Sequence, residues 1–269
     1  MSIVFITIHG NARQWFASKL AEETEGALEL VIIQRPQPKL PVTRRISRFF
    51  SRHVGWQALK ETWYALLMRL HGRKEKVLTY FTLSSADNLP LSHKVKVLEV
   101  DSVNSDAVHA VLQKLSPDLI VVWSSTILDQ RILKTAKRAI NLHFGLCPYY
   151  RGALANQYAV LSGDFSNVGA TIHYINGVVD KGDILATVTA DLYRSPRDMF
   201  IDLNDRAINR FLDIASRLHK GEDIPASSQD GTKGKNLLLK SWTPSVRYRL
   251  GTKVIQWEKE NRRRESKLI

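Results

Sequence analysis

Cysteine is almost missing: Cys147 is the single one in 269 residues. That excludes a disulfide framework and any multi-thiolate zinc or iron–sulfur site, and it fits a reducing compartment. No apolar run approaches the roughly 18 residues of a membrane span. The opening MSIVFITIHG lacks the basic start and small-residue cleavage site of a secretory leader. Internal repeats and low-complexity tracts are also missing. We expect a cytoplasmic protein, with peripheral attachment at the inner face of the membrane as a variant of that reading. What is present is enough apolar sequence, 44%, to build a sizeable core, so whole-chain disorder is excluded.

Charge is unevenly spread. The net charge is +13, yet residues 39–76 alone carry ten basic side chains against Glu61 and Glu75. Residues 233–269 carry eleven against Glu258, Glu260 and Glu265, so each stretch is +8 and the remainder is slightly acidic. This describes a near-neutral body with basic appendages.

SIVFITI (2–8) and ALELVII (27–33) read as strands flanking a helical QWFASKLAEE, a βαβ opening that favours a parallel sheet. From 41 to 72, Ile46, Phe49, Phe50, Leu59, Trp63, Leu66, Leu67 and Leu70 recur at three- and four-residue spacing. They predict two amphipathic helices joined near Gly55 and ended near Gly72. KVKVLEV (94–100), DLIVVW (118–123) and RAINLH (138–143) are further strands, with Asn104 or Ser105 capping a helix between the first two. Residues 152–163 predict a helix, 169–175 and 183–189 a pair of strands around a turn, and 197–219 a long helix. After Pro225 the sequence is polar; we expect ordered pieces packed on the body, no second core, and a frayed basic end after about Glu258. The fold class is therefore α/β, Rossmann-like, with a mostly parallel twisted sheet, helices on both faces, a basic helical insertion and a small C-terminal extension.

The chemistry-bearing stretch is Asn141-Leu142-His143, then Pro148-Tyr149-Tyr150-Arg151-Gly152, then Val179-Asp180-Lys181-Gly182. Two residues apart on a strand, Asn141 and His143 share a face, and they end a strand where open α/β sheets form their ligand crevice.

These residues resemble the folate-dependent formyltransferases, a family that includes glycinamide ribonucleotide, methionyl-tRNA and amino-sugar formyltransferases. The shared pattern is a strand ending Asn-x-His, a Pro-x-Tyr-Arg-Gly loop and a later Asp-x-Gly turn, here NLHFGLCPYYRG (141–152) and VVDKGDIL (178–185). The resemblance spans about residues 77–190. It implies a catalytic trio of Asn141, His143 and Asp180 and a formyl donor, N10-formyltetrahydrofolate, with no metal. Asn141 and protonated His143 would each donate a hydrogen bond to the oxyanion, and Asp180 would hold His143 charged and, directly or through a water, accept the amine proton; His143 as the general base is the alternative assignment. The pterin would lie on backbone of Ile127 and Leu128 and of Asn176, Gly177, Val178 and Val179. It also divides the chain into a catalytic domain, 1–195, and a C-terminal helix and basic tail, 196–269.

Gly145 stands where many relatives have serine, and Cys147 where they have leucine; no base is implied beside Cys147, which reads as a small buried side chain. Tyr150, Arg151 and Gly152 read as loop-shaping, and His173 and Asp164 as structural. His9-Gly10-Asn11-Ala12 keeps one glycine of a phosphate-binding loop, which disfavours a ribonucleotide acceptor. For methionyl-tRNA the resemblance implies a C-terminal β-barrel, for which 220–269 offers little sequence. The expected acceptor is the amine of a nucleotide-linked amino-deoxy sugar. Other partner readings are tRNA, a homodimer, and an anionic membrane surface met through 41–76. An inactive membrane- or RNA-binding module on this fold is the reading of another class, and the intact trio speaks against it.

Overall fold

The computed structural model describes residues 1–36, 38, 41–44, 47, 51, 55–89, 95–230 and 232–265. Its chain opens with β1 (Ile3–Ile8), α1 (Asn11–Glu23) and β2 (Leu28–Gln34), followed by α2 (Trp56–Leu70), α3 (Gly72–Lys76), β3 (Val97–Val100), α4 (Asp106–Leu115) and β4 (Leu119–Trp123). Next come α5 (Gln130–Leu133), β5 (Arg138–His143), β6 (Tyr150–Gly152), α6 (Ala155–Ser162), β7 (Gly169–Tyr174), β8 (Ile184–Thr189), α7 (Pro196–His219), β9 (Lys235–Leu237) and α8 (Pro244–Glu265).

Seven strands form one sheet in the order β3-β2-β1-β4-β5-β7-β8, while β6 and β9 pair separately. The strands from β3 across to β5 run parallel, and β7 and β8 close the edge antiparallel. The chain leaves β1 in one direction to β2 and β3, then returns to its other side for β4. That reversal creates a crevice at the carboxyl ends of the strands. β4 is buried at all five positions, as expected of a parallel strand covered on both faces.

Alternation along β1 separates the layers. Ile3 and Phe5 point into the core under α1 and α7, while Val4 and Ile6 point into the core under α4 and α5. Caps fix the helix starts: Ser105 Oγ accepts from Val108 N at 3.4 Å, and Ser195 Oγ accepts from Asp198 N at 3.3 Å just before Pro196.

Ile46, Phe49 and Phe50, expected on the first basic helix, lie outside the described residues, whereas the second is α2. The expectation for the C-terminus needs correction. The C-terminal stretch does build a second core and continues as helix past Glu258 to Glu265. Leu250, Val254 and Trp257, spaced four and three apart, pack with Met199, Phe200 and Leu203 of α7 and Ala159 and Val160 of α6. Charged residues between them dilute the periodicity, and Glu258 is itself held by Arg73 at 2.8 Å and by the Tyr80 hydroxyl at 2.9 Å. Among the described residues, no helix is long and apolar enough to cross a membrane.

Candidate active site

β5 delivers Asn141 and His143 to the crevice because RAINLH turns Leu142 inward to the core and its two polar neighbours the other way. β7 lies antiparallel to β5 with His173 directly opposite Asn141. The turn between β7 and β8 carries Asp180 back over the same spot. Asp180 holds φ at 48°, the left-handed region, which aspartate tolerates better than most side chains. Gly182 makes the turn possible, since a Cβ there would lie 1.6 Å from the Tyr174 carbonyl oxygen.

The result is a connected polar chain. Asp180 Oδ2 lies 3.5 Å from His143 Nδ1 and accepts the Gly152 N–H at 2.8 Å. Its other oxygen, Oδ1, lies 3.4 Å from His173 Nε2, which in turn meets Asn141 Nδ2 at 3.2 Å. His143 Nε2 faces the Tyr150 carbonyl at 3.1 Å. The Pro-x-Tyr-Arg-Gly loop therefore grips the site through the backbone of Tyr150 and Gly152. The Tyr150 hydroxyl is turned away to donate to Asp164 at 3.0 Å.

Sequence reasoning set His173 aside, yet it stands between Asn141 and Asp180. Its Nδ1 is 2.8 Å from the Tyr174 carbonyl, which places a proton on Nδ1, while Nε2 stands between Asn141 Nδ2 and Asp180 Oδ1. The available signal was positional: a histidine in the strand that pairs with β5.

Electrostatics separate the roles. Burial by itself would raise the Asp180 carboxyl, but His143, His173 and the Gly152 N–H together hold it well below the usual carboxylate range. Burial pushes the His143 imidazole below its ordinary value, with Asp180 opposing. Asp180 is thus a buried anion, and His143 is pulled two ways, by burial towards the neutral ring and by Asp180 towards the charged one. Both ring nitrogens of His143 face acceptors, which a single proton cannot satisfy, so the geometry welcomes a second proton that burial resists. Burial pushes the Cys147 thiol up to about 12, in keeping with a packed side chain.

Gly145 has a steric explanation. A Cβ there would lie 2.2 Å from Ala155 Cβ and 2.5 Å from His143 Nε2. Gly145→Ser is therefore expected to displace the ring and lower turnover by about 10²-fold, with folding retained by circular dichroism; near wild-type steady-state rates would show that the loop gives way freely.

The segments expected to hold the donor flank this cluster. Gln130 Nε2 donates to the Asn176 carbonyl at 3.4 Å, joining the 127–130 segment to the 176–179 turn. Ile127 and Val178 expose their side chains, Asn176 Oδ1 accepts the Val178 N–H at 3.1 Å, and Leu128 is buried. Two exposed apolar side chains beside backbone polar groups suit a flat heteroaromatic ring. Among the described residues no cluster of His, Cys, Asp and Glu is arranged to hold a metal ion.

The first strand-to-helix turn is already filled. The Ala12 N–H at the start of α1 donates to Asp87 Oδ1 at 3.0 Å, and Asn11 Nδ2 donates to the Asp87 carbonyl at 3.2 Å. A carboxylate in that place repels a phosphate.

Known proteins resemble the chain in sequence and in fold. Residues 57–206 match the family model described as formyl transferase. A methionyl-tRNA formyltransferase from Syntrophus aciditrophicus is 31% identical over 174 residues, 63% of this chain and 52% of that protein. A second from Levilactobacillus brevis is 28% identical, over 65% of this chain and 56% of that protein. The chain thus spans about half the length of the curated relatives it matches. In fold it is similar to a sugar N-formyltransferase from a Shewanella species, with TM-score 0.54, 15% identity and coverage of 94% of this chain and 88% of the other. It is also similar to glycinamide ribonucleotide transformylase 1 from Symbiobacterium toebii, with TM-score 0.51, 18% identity and coverage of 86% and 95%.

Proposed function

The chain belongs to the formyl transferase family, and from that premise we propose that it transfers a formyl group from N10-formyltetrahydrofolate to the primary amine of a nucleotide-linked amino-deoxy sugar. The observation that carries the reaction is the contact chain Asn141–His173–Asp180–His143 at the carboxyl end of β5.

The donor supplies a formyl carbon activated by its N10 leaving group. Each side chain then has one task. Asn141 has a second amide hydrogen beyond the one directed at His173, and that hydrogen stabilises the negative charge growing on the formyl oxygen as the amine attacks. Neutral His143, its Nδ1 towards Asp180, takes at Nε2 the proton the amine loses as its C–N bond forms, Nε2 giving up its contact with the Tyr150 carbonyl to do so. Asp180 stabilises the imidazolium so formed through Nδ1. The same proton passes from His143 to N10 as the C–N10 bond breaks, so the products are a formamide and tetrahydrofolate and the site returns to its starting charge. Residues 127–128 and 176–179 are the proposed floor for the pterin.

One feature supports a small amine over a ribonucleotide: Asp87 occupies the turn where a ribonucleotide phosphate would sit. In the proposed division into a 1–195 catalytic body and a 196–269 extension, α7 is built into the main core and α8 packs on α6 and α7.

Tetrahydrofolate release, followed by absorbance across a panel of nucleotide-linked 3- and 4-amino sugars with methionyl-tRNA and glycinamide ribonucleotide alongside, tests the reading. Release dependent on one amino sugar supports it, whereas release driven by methionyl-tRNA or the ribonucleotide assigns the acceptor elsewhere.

A further inference from the structure

One face of α2 is left unused by formyl transfer. Trp56, Leu59, Trp63, Leu66 and Leu70 are between 46% and 79% exposed. At roughly 100° per residue they fall within an arc of about 80°, opposite the buried Ala58, Glu61 and Met68. On a helix about 22 Å long they form a continuous ridge of two indoles and three leucines. Single exposed apolar residues are ordinary, but a contiguous row of five marks a surface that meets something apolar.

The opposite face of α2 is firmly seated. Buried Glu61 accepts the Ser245 N–H at 2.8 Å and the Ser245 hydroxyl at 2.6 Å, and the rings of Tyr64 and Tyr248 lie 5.3 Å apart. Just beyond the helix, Lys74 Nζ sits 3.6 Å over the Tyr248 ring and Arg73 pairs with Glu258 at 2.8 Å. The ridge therefore cannot turn inward without breaking these contacts. They also place α8 beside α2 and α3, so basic residues far apart in sequence, on 60–76 and on 247–264, lie on neighbouring helices. Lys60 and Arg69 flank the ridge, and Arg249, Lys259, Arg262 and Arg264 of α8 are exposed.

An apolar ridge set in a field of positive charge fits one kind of surface. We infer that α2 is an interfacial helix that lays Trp56, Leu59, Trp63, Leu66 and Leu70 into the headgroup boundary of an anionic lipid bilayer, with the flanking lysines and arginines on the lipid phosphates. A second copy docked ridge to ridge would bring two strongly basic faces together. Nucleic acid would satisfy the charge but gives three leucines no apolar partner. This inference stands apart from the formyl-transfer reading, since none of the trio lies on α2.

The test is sedimentation of the full chain with vesicles of phosphatidylcholine alone or mixed with phosphatidylglycerol. Association with the anionic vesicles is expected to exceed that with the neutral ones by at least about tenfold, and Trp63→Ser/Leu66→Ser is expected to lower it by a similar factor without changing Tm or tetrahydrofolate release. Lipids brominated on the acyl chain should quench tryptophan emission in the wild-type chain and much less in Trp56→Ser/Trp63→Ser. Three results would overturn the inference: no association with anionic vesicles at low salt; association that the ridge variants leave intact; or, without vesicle binding, a dimer or a tRNA complex that those variants abolish.

Discussion

Asp180→Asn is expected to cut formyl transfer by about 10³–10⁴-fold, the scale seen when a buried carboxylate behind a catalytic histidine is neutralised. The substitution keeps the side-chain volume and the Gly152 N–H contact, so the fold should survive. What it removes is the one negative charge facing both imidazoles, at 3.5 Å from His143 and 3.4 Å from His173. The pH profile gives an independent readout. Asp180 raises the affinity of His143 for a proton against the larger opposing effect of burial. With His143 as the base, kcat/KM falls as pH drops through the His143 pKa, which lies below the ordinary histidine value. Removing the Asp180 charge lowers that pKa further, so the acid limb should move to lower pH while the plateau falls. A limb that moves to higher pH, or a plateau within tenfold of wild type, would contradict the assignment of Asp180.

Stability follows the same signs. The folded Asp180 carboxyl titrates far below its unfolded value, so its contribution is complete above the ordinary carboxylate range and is lost as pH falls through it towards the folded pKa. His143 also titrates lower when folded, so acidification below its ordinary value favours the unfolded chain. Both groups make the protein acid-labile, but of the two only His143 titrates between pH 5 and pH 8, so chemical denaturation should show the lower midpoint at pH 5. In Asp180→Asn, where the folded His143 pKa falls further, that difference should persist or widen.

His143→Ala is expected to reduce turnover by about 10²–10⁴-fold, the usual scale of general acid–base catalysis, with little change in donor affinity. The donor segments at 127–128 and 176–179 are tied together through Gln130 and Asn176, a contact that does not involve the imidazole. Truncation of a buried ring also leaves a cavity, so His143→Asn serves as the volume-conserving companion. Equilibrium binding of a folate analogue beside kcat separates the two effects. Loss of binding parallel to loss of turnover would mean that His143 holds the donor instead of moving a proton.

Much of this was legible in the residues themselves. The strands IVFITI and LIVVW announce themselves as short apolar runs bounded by polar turns, and strand parity puts Asn141 and His143 on one side, while the trio with Asp180 is what the resemblance to formyltransferases implies. His173 was not legible in that way: its partners come from β5 and from the turn at Asp180, and only the antiparallel register places it between them. The cost of a side chain at Gly145 was equally hidden, since it depends on how closely Ala155 and the His143 ring approach. The second core went unseen because Leu250, Val254 and Trp257 are three apolar positions in a basic helix, and their burial depends on α6 and α7 lying alongside.

The most direct test follows the carbon. N10-formyltetrahydrofolate labelled with ¹³C in the formyl group is incubated with the chain and the amine acceptor that supports tetrahydrofolate release, and the label is located by NMR. The account requires the label in a formamide on that amine, formed in step with tetrahydrofolate and absent with Asp180→Asn. Label recovered as free formate, or a formamide produced equally by wild type and Asp180→Asn, would contradict it.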